Sequence, residues 1–240
     1  MIKKIAIFGF ALALLSILAF FAGVICFRTG ALAFGPAFSF VKIAIPASFA
    51  ATAISIGVTL WILFRPVKAG LAYALVGVML GLSLSVPMLR LKGTVDSLPR
   101  IHDITTDTEK PPQFVAILPL RKDALNSAVY EGHLIAEQQH KAYPDISPKI
   151  LAMAPTEAFQ LLVAKARAQP WEVVSIDKEA MRIEATATSA LFAFKDDLVI
   201  QVSIDAKGSR VDMRSVSRVG ISDLGKNAER IRNFFATVSE

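Results

Sequence analysis

The stretch RVDMRSVSRVGISDLGKNAERIRNFF, residues 210–235, changes its period halfway along. From Arg210 to Arg218 alternate residues fall on two faces, as in a strand. Val211, Met213, Ser215 and Ser217 take one face, and Arg210, Asp212, Arg214, Val216 and Arg218 the other. Beyond the Gly-Ile-Ser-Asp turn, Leu224, Ala228, Ile231, Phe235 and Val238 recur at spacings of 4, 3, 4 and 3 residues. That one-sided apolar stripe predicts a helix from about Asp223 to Val238, capped by Ser222 and lying on a sheet. A strand that hands over to a helix packed on its own sheet specifies an α+β domain.

Working back from this stretch, three more segments alternate with period two: 171–177 (WEVVSID), 181–188 (MRIEATAT) and 197–204 (DLVIQVSI). Leu198, Ile200, Val202 and Ile204 share one face, as do Ile183, Ala185 and Ala187. Asp177–Ala180 and Asp205–Ser209 read as hairpin turns, with Gly208 free to take a positive φ in the second. Upstream, residues 123–142 and 157–169 read as helices, the second capped by Thr156 and both followed by a proline. Residues 93–122 contain Pro99, Pro111, Pro112 and Pro119 and read as an extended connector. The expectation for residues 123–240 is an antiparallel sheet of four or five strands with helices on one face.

The first 92 residues obey different physics. Residues 1–95 hold eight Lys or Arg and no acid, so the net charge of +6 divides into +8 there and −2 beyond. The basic balance therefore belongs to membrane flanks, and it excludes a nucleic-acid-binding surface. Segments 5–27, 43–64 and 69–89 carry no charge, and each matches the roughly 20 residues that cross a hydrocarbon core. They predict three transmembrane helices. A cleaved signal peptide is the rival reading of the first, against which its apolar run is long. Cys26 is the single cysteine, so no intrachain disulfide forms. Lys3 and Lys4, with Arg65 and Lys68, oppose Arg28, Lys42, Arg90 and Lys92 across the membrane. The basic N-terminus and the short RPVK loop favour an N-terminus inside, which places residues 93–240 outside the cytoplasm.

No ionisable group lies within the three spans away from their ends, which argues against a transporter or channel. Small residues recur every four positions, at Ala47, Ala51, Ser55 and Thr59 and at Gly77, Gly81 and Ser85. Such stripes allow close helix approach, either within the chain or toward a homo-oligomeric or membrane-protein partner.

Three constellations qualify as sites. Arg210, Arg214 and Arg218 share a strand face that runs toward a helix N-terminus at Ser222 and Asp223, a setting for a small anion. The alternative is a structural network in which Asp196, Asp197, Asp212 and Asp223 pair with the arginines. His133, Glu137 and His140, at spacings of four and three, share one helix side in the manner of a metal-binding face; a solvated face is the simpler reading. His102, Asp103, Asp107 and Glu109 form a turn-rich acidic segment just past the membrane. No phosphate loop, nucleophile elbow or paired-cysteine motif is present, and no cofactor is implied.

Three pieces of the chain, IHDITTDTEKPPQF (101–114), QQHKAYPDI (138–146) and FKDDLVIQVSIDAKGSRVDMRSVSRVGISDLGKNAERIRNFF (194–235), resemble the DUF1499 family of domains of unknown function. The resemblance spans residues 100–240 and implies a bacterial cell-envelope or thylakoid-lumen setting, in some members with membrane spans ahead of the domain. It supports a bacterial inner-membrane protein with a periplasmic C-terminal domain. Gln201 stands where the family pattern suggests arginine. The resemblance implies no activity. The sequence favours a non-enzymatic module for partner binding or envelope assembly; the alternative is an envelope enzyme or anion binder working at the arginine face.

Overall fold

The computed structural model describes residues 1–66 and 68–238, and these form two compact units. The first is Met1–Asp96 together with Leu191–Ala193; the second is the remainder from Ser97 onward.

Three helices build the first unit: α1 (Ile2–Arg28), α2 (Phe34–Leu63) and α3 (Leu71–Ser97). Each is long and apolar enough to span a membrane. All three outrun the uncharged segments that predict them, because helix continues into the charged flanks. The RPVK turn includes Val67, which lies outside the described residues. Beside it, Arg65 sits over the Trp61 ring at 5.1 Å and Phe10 meets Tyr73 edge-on at 5.9 Å.

The small residues close this unit from inside. Ala51 and Ser55 are buried, and a Cβ added to Gly77 would stand 2.5 Å from Ser55 Oγ. One added to Gly9 would stand 2.7 Å from the same atom, and one added to Gly81 would stand 2.2 Å from Thr52 Oγ1. Glycines of α1 and α3 thus converge on one turn of α2, where the absent side chains let helices meet. Most membrane hydroxyls bond their own helices: Ser16 donates to Leu12 O at 2.7 Å and Ser85 to Gly81 O at 2.8 Å, whereas the buried Ser55 Oγ has no partner among the described residues.

The second unit is an antiparallel sheet with order β1-β6-β5-β4-β3. The strands are β1 (Asp103–Thr105), β2 (Lys149–Leu151), β3 (Trp171–Asp177), β4 (Arg182–Thr188), β5 (Lys195–Asp205) and β6 (Gly208–Ser217). The four long strands match the alternating segments within two residues at each end. β1 and β2 are three-residue strands that pair with successive halves of β6. Helices α4 (His133–Ala142), α5 (Pro155–Arg167) and α6 (Lys226–Thr237) complete the fold.

One sheet face carries Ile183, Ala185, Leu198, Ile200, Val211 and Met213 into a core with Leu162 of α5 and Ile231 and Phe234 of α6. Five local expectations need correcting. Residues 93–122 are not one extended connector: α3 runs on to Ser97, Asp103–Thr105 joins the sheet as β1, and Leu118–Arg121 forms a 3-10 turn. Helix α4 begins at His133 rather than residue 123, because Gly132 adopts φ +80° and residues 123–131 form a loop. Helix α5 begins at Pro155, which suits a first helical position, so Thr156 lies inside its first turn. Helix α6 begins at Lys226. Ile204, at the β5–β6 turn, is exposed, unlike Leu198, Ile200 and Val202, with which it is expected to share a face.

Candidate functional site

The face of the sheet opposite α5 and α6 carries the arginines. The segment between β1 and α4 lies over it, and Arg210 and Arg214 of β6 and Arg218 just beyond it each hold a carboxylate of the same chain.

Arg214 is fully buried. Its Nε and Nη2 donate to the two oxygens of Asp103 at 2.9 and 2.7 Å. Nη2 also reaches Ala128 O at 2.8 Å, and Nη1 reaches Pro112 O at 3.3 Å. The guanidinium lies 5.1 Å from the Phe114 ring centre and 5.5 Å from that of Tyr130. A planar cation with five donors suits this crowded place: two donors bind the carboxylate, others fasten the overlying loop, and two rings cover its surface. Burial pushes the Tyr130 hydroxyl up to about 12, with the charge of Asp103 adding to the effect.

Arg218 grips Asp197 through Nε and Nη2 at 2.9 and 2.8 Å and donates through Nη1 to Leu120 O at 2.8 Å. Asp197 is fully buried and also accepts from Thr186 Oγ1 at 2.7 Å and from Arg121 Nη1. Arg121 turns its other end to Asn126 O at 2.9 Å. Arg210 pairs with Asp212 and reaches Asp107 at 2.7 Å.

Two further groups complete this closure. Glu184 of β4, almost fully buried, accepts from the backbone amides of Val115, Ala116 and Ile117 at 2.9–3.1 Å and from Arg182 Nε at 3.1 Å. A bound carboxylate from within the chain therefore fills a concavity of amides that would otherwise suit an external anion. Gln139 of α4, also buried, donates to Thr105 O at 2.6 Å and accepts from Thr105 N at 3.0 Å, matching the backbone edge of β1.

The remaining predicted residues lie elsewhere. Asp196 faces α6 and holds Arg230 at 2.7 Å. Asp223 accepts from Gly225 N and Asn227 N at 2.9 and 2.8 Å, so it, rather than Ser222, bonds the first amides of α6. Ser222 donates instead to Pro99 O at 3.1 Å. Burial pushes the Asp223 carboxyl up, against the lowering effect of the two amides. Arg210, Arg214 and Arg218 thus share a face, while Ser222 and Asp223 belong to the helix side. His133 and Glu137 approach to 3.7 Å in solvent, and His140 turns its Nε2 to Thr108 Oγ1 at 3.1 Å. Among the described residues no group of three His, Cys, Asp or Glu side chains is placed to hold a metal. Gln201 donates its amide to Ala180 O, closing the β3–β4 turn where a cation is expected from the resemblance.

Arg121, Asn126, Gln139 and Glu184 are essential to this arrangement and do not stand out in the sequence. Glu184 alone has a visible signal, a carboxylate in strand phase with Arg182 and Thr186. Asn126 sits in the segment whose spacing suggests helix, although it donates to Ser217 O and Gly220 O.

A family model described as a protein of unknown function, DUF1499, matches residues 103–238, which covers the sheet, its helices and the loop over the arginines. No curated protein and no solved structure matches the chain. The match takes in more than half of the residues, so the chain is a member of the DUF1499 family, with three membrane helices ahead of the family domain.

Proposed function

We propose that the protein is a bacterial inner-membrane protein that displays a non-enzymatic α+β module outside the cytoplasm, as an element for partner binding or envelope assembly. The observation that carries this reading is the closure of the arginine face. Arg210, Arg214 and Arg218 each hold a carboxylate of the chain, and the spare donors of Arg214 and Arg218 fasten the loop above them. The chemistry left to the domain is that of its outer surface. In the membrane, Pro46, Ala50, Ala53 and Gly57 line an exposed side of α2 with small residues, a second stripe beyond the buried one and one that fits a neighbouring helix. Light scattering of the full chain in mild detergent tests this. A defined oligomer or complex that Gly57→Leu dissociates is expected; a monomer with no co-purifying partner overturns the reading.

A second reading, an envelope enzyme or binder of a small anion, rests on one observation. Arg121 and Arg218 share the carboxylate of Asp197, so two cations there hold one anion. A rise in thermal stability with added phosphate, lost in Arg218→Ala, would favour it.

A further inference from the structure

The strands of the sheet finish together at one end, and this is where the chain arrives from α3. Ser217 N donates to His102 O at 3.0 Å, Asp223 N to Ile101 O at 3.1 Å and Arg218 N to Lys195 O at 2.9 Å. Three large apolar side chains stand in solvent at the same end: Ile221 is 70% exposed, Leu125 69% and Leu120 50%. They are not on slack chain. Asn126 N donates to Arg218 O at 3.0 Å and Asn126 Nδ2 to Gly220 O at 2.8 Å, while Leu120 O accepts from Arg218. The backbone beneath them is tied to the sheet, so their outward direction is built in.

The charge around them is mainly of one sign. Arg100, Lys122 and Lys195 are exposed here, with Asp123 as the exposed acid. Apolar tips set among cations suit the boundary between acyl chains and phosphate headgroups. The tether supplies the occupant. Five residues separate Ser97, the end of α3, from Asp103, and that length reaches at most about 20 Å. A bilayer is therefore always within reach of this end of the domain.

We propose that this end of the sheet is a lipid-facing rim. Ile221, Leu125 and Leu120 rest in the interfacial layer of the bilayer that the chain's own helices span, and Arg100, Lys122 and Lys195 face its phosphates. The inference is independent of the partner-binding reading and holds for either orientation in the membrane. A domain seated in this way is held at the surface with its opposite end, the β5–β6 turn, outermost.

The test uses the full chain with Cys26→Ala, in nanodiscs of phosphatidylcholine and phosphatidylglycerol. Single cysteines at Leu125, Ile221 and Ile204 receive a nitroxide label. Ile204 is the control, 85% exposed and next to the Asp205–Gly208 turn at the far end of the sheet. The rim labels are expected to collide several-fold more with oxygen than with a water-soluble nickel chelate, relative to Ile204. Rim labels as open to the chelate as Ile204 overturn the proposal. So do rim labels shielded from both reagents, which would mean a protein surface covers the rim.

Discussion

Arg214 and Asp103 form a two-pronged ion pair, at 2.9 and 2.7 Å, that joins the centre of β6 to the short strand at its edge. Both groups are buried, so each is the condition for the other's charge to remain in the interior. Lysine cannot reproduce two parallel bonds and the bonds to Pro112 O and Ala128 O. Arg214→Lys is expected to destabilise the domain by about 2–4 kcal/mol, close to the loss from breaking a buried pair. Asp103→Ala with Arg214→Ala should cost less than the sum of the single changes. Additive losses in denaturant unfolding would deny the coupling.

Glu184 organises the loop over the arginines by accepting three consecutive amides. Glu184→Gln removes the charge from all three bonds and sets an NH2 donor against at least one of the amides, at a cost of about 1–3 kcal/mol. Hydrogen exchange should show Val115, Ala116 and Ile117 opening faster by one to two orders of magnitude, with β5 and β6 little changed. Unaltered protection at the three amides would contradict the role given to Glu184.

In the membrane unit, a methyl group at position 77 meets Ser55 Oγ and the backbone of Phe10, the latter at 3.2 Å. Gly77→Ala is therefore expected to loosen the bundle by about 1–3 kcal/mol, the usual cost of overpacking. Adding Ser55→Ala should recover only part, since the Phe10 backbone cannot retreat. Unfolding in mixed micelles checks both; full recovery would place the strain wholly at Ser55.

Tyr130 and Asp145 give pH signatures at opposite ends of the scale. Tyr130 is pushed up to about 12, chiefly by burial, so its contribution to stability is fully present below the ordinary tyrosine range and is lost as pH rises from there toward about 12. Absorbance titration should show a late-ionising tyrosine that Tyr130→Phe removes. Asp145 is held below its ordinary range, first by the hydrogen bond from Arg232. Its contribution is present above the usual carboxylate pKa and fades as pH falls through the lowered one. Arg232→Gln should flatten stability against pH in acid, while a slope equal to the parent's would assign the acid response elsewhere.

The period-two runs placed β3, β4, β5 and β6 closely, because each long strand buries one apolar face and alternation is enforced there. The strand phase of Arg210, Arg214 and Arg218 was legible for the same reason. What covers them was not. Residues 123–131 have helical spacing at Leu125, Ala128 and Val129, yet Leu125 and Val129 are exposed and the backbone carbonyls of Asn126 and Ala128 bind Arg121 and Arg214. Long-range bonds from buried guanidinium groups outweighed a weak local preference, and no local pattern reports them. β1 and β2 escaped for a related cause: three residues are too few to show alternation, and their pairing with β6 spans over fifty positions of sequence.

The central claim is that the arginine face is an internal scaffold. Thermal unfolding of the full chain with Arg214→Ala and, separately, Arg218→Ala tests it most directly. The account predicts that both variants melt several degrees lower, as a loss of about 2 kcal/mol or more in a domain of this size would give. Melting temperatures equal to the parent's in both would contradict it and leave those guanidinium groups available for a ligand.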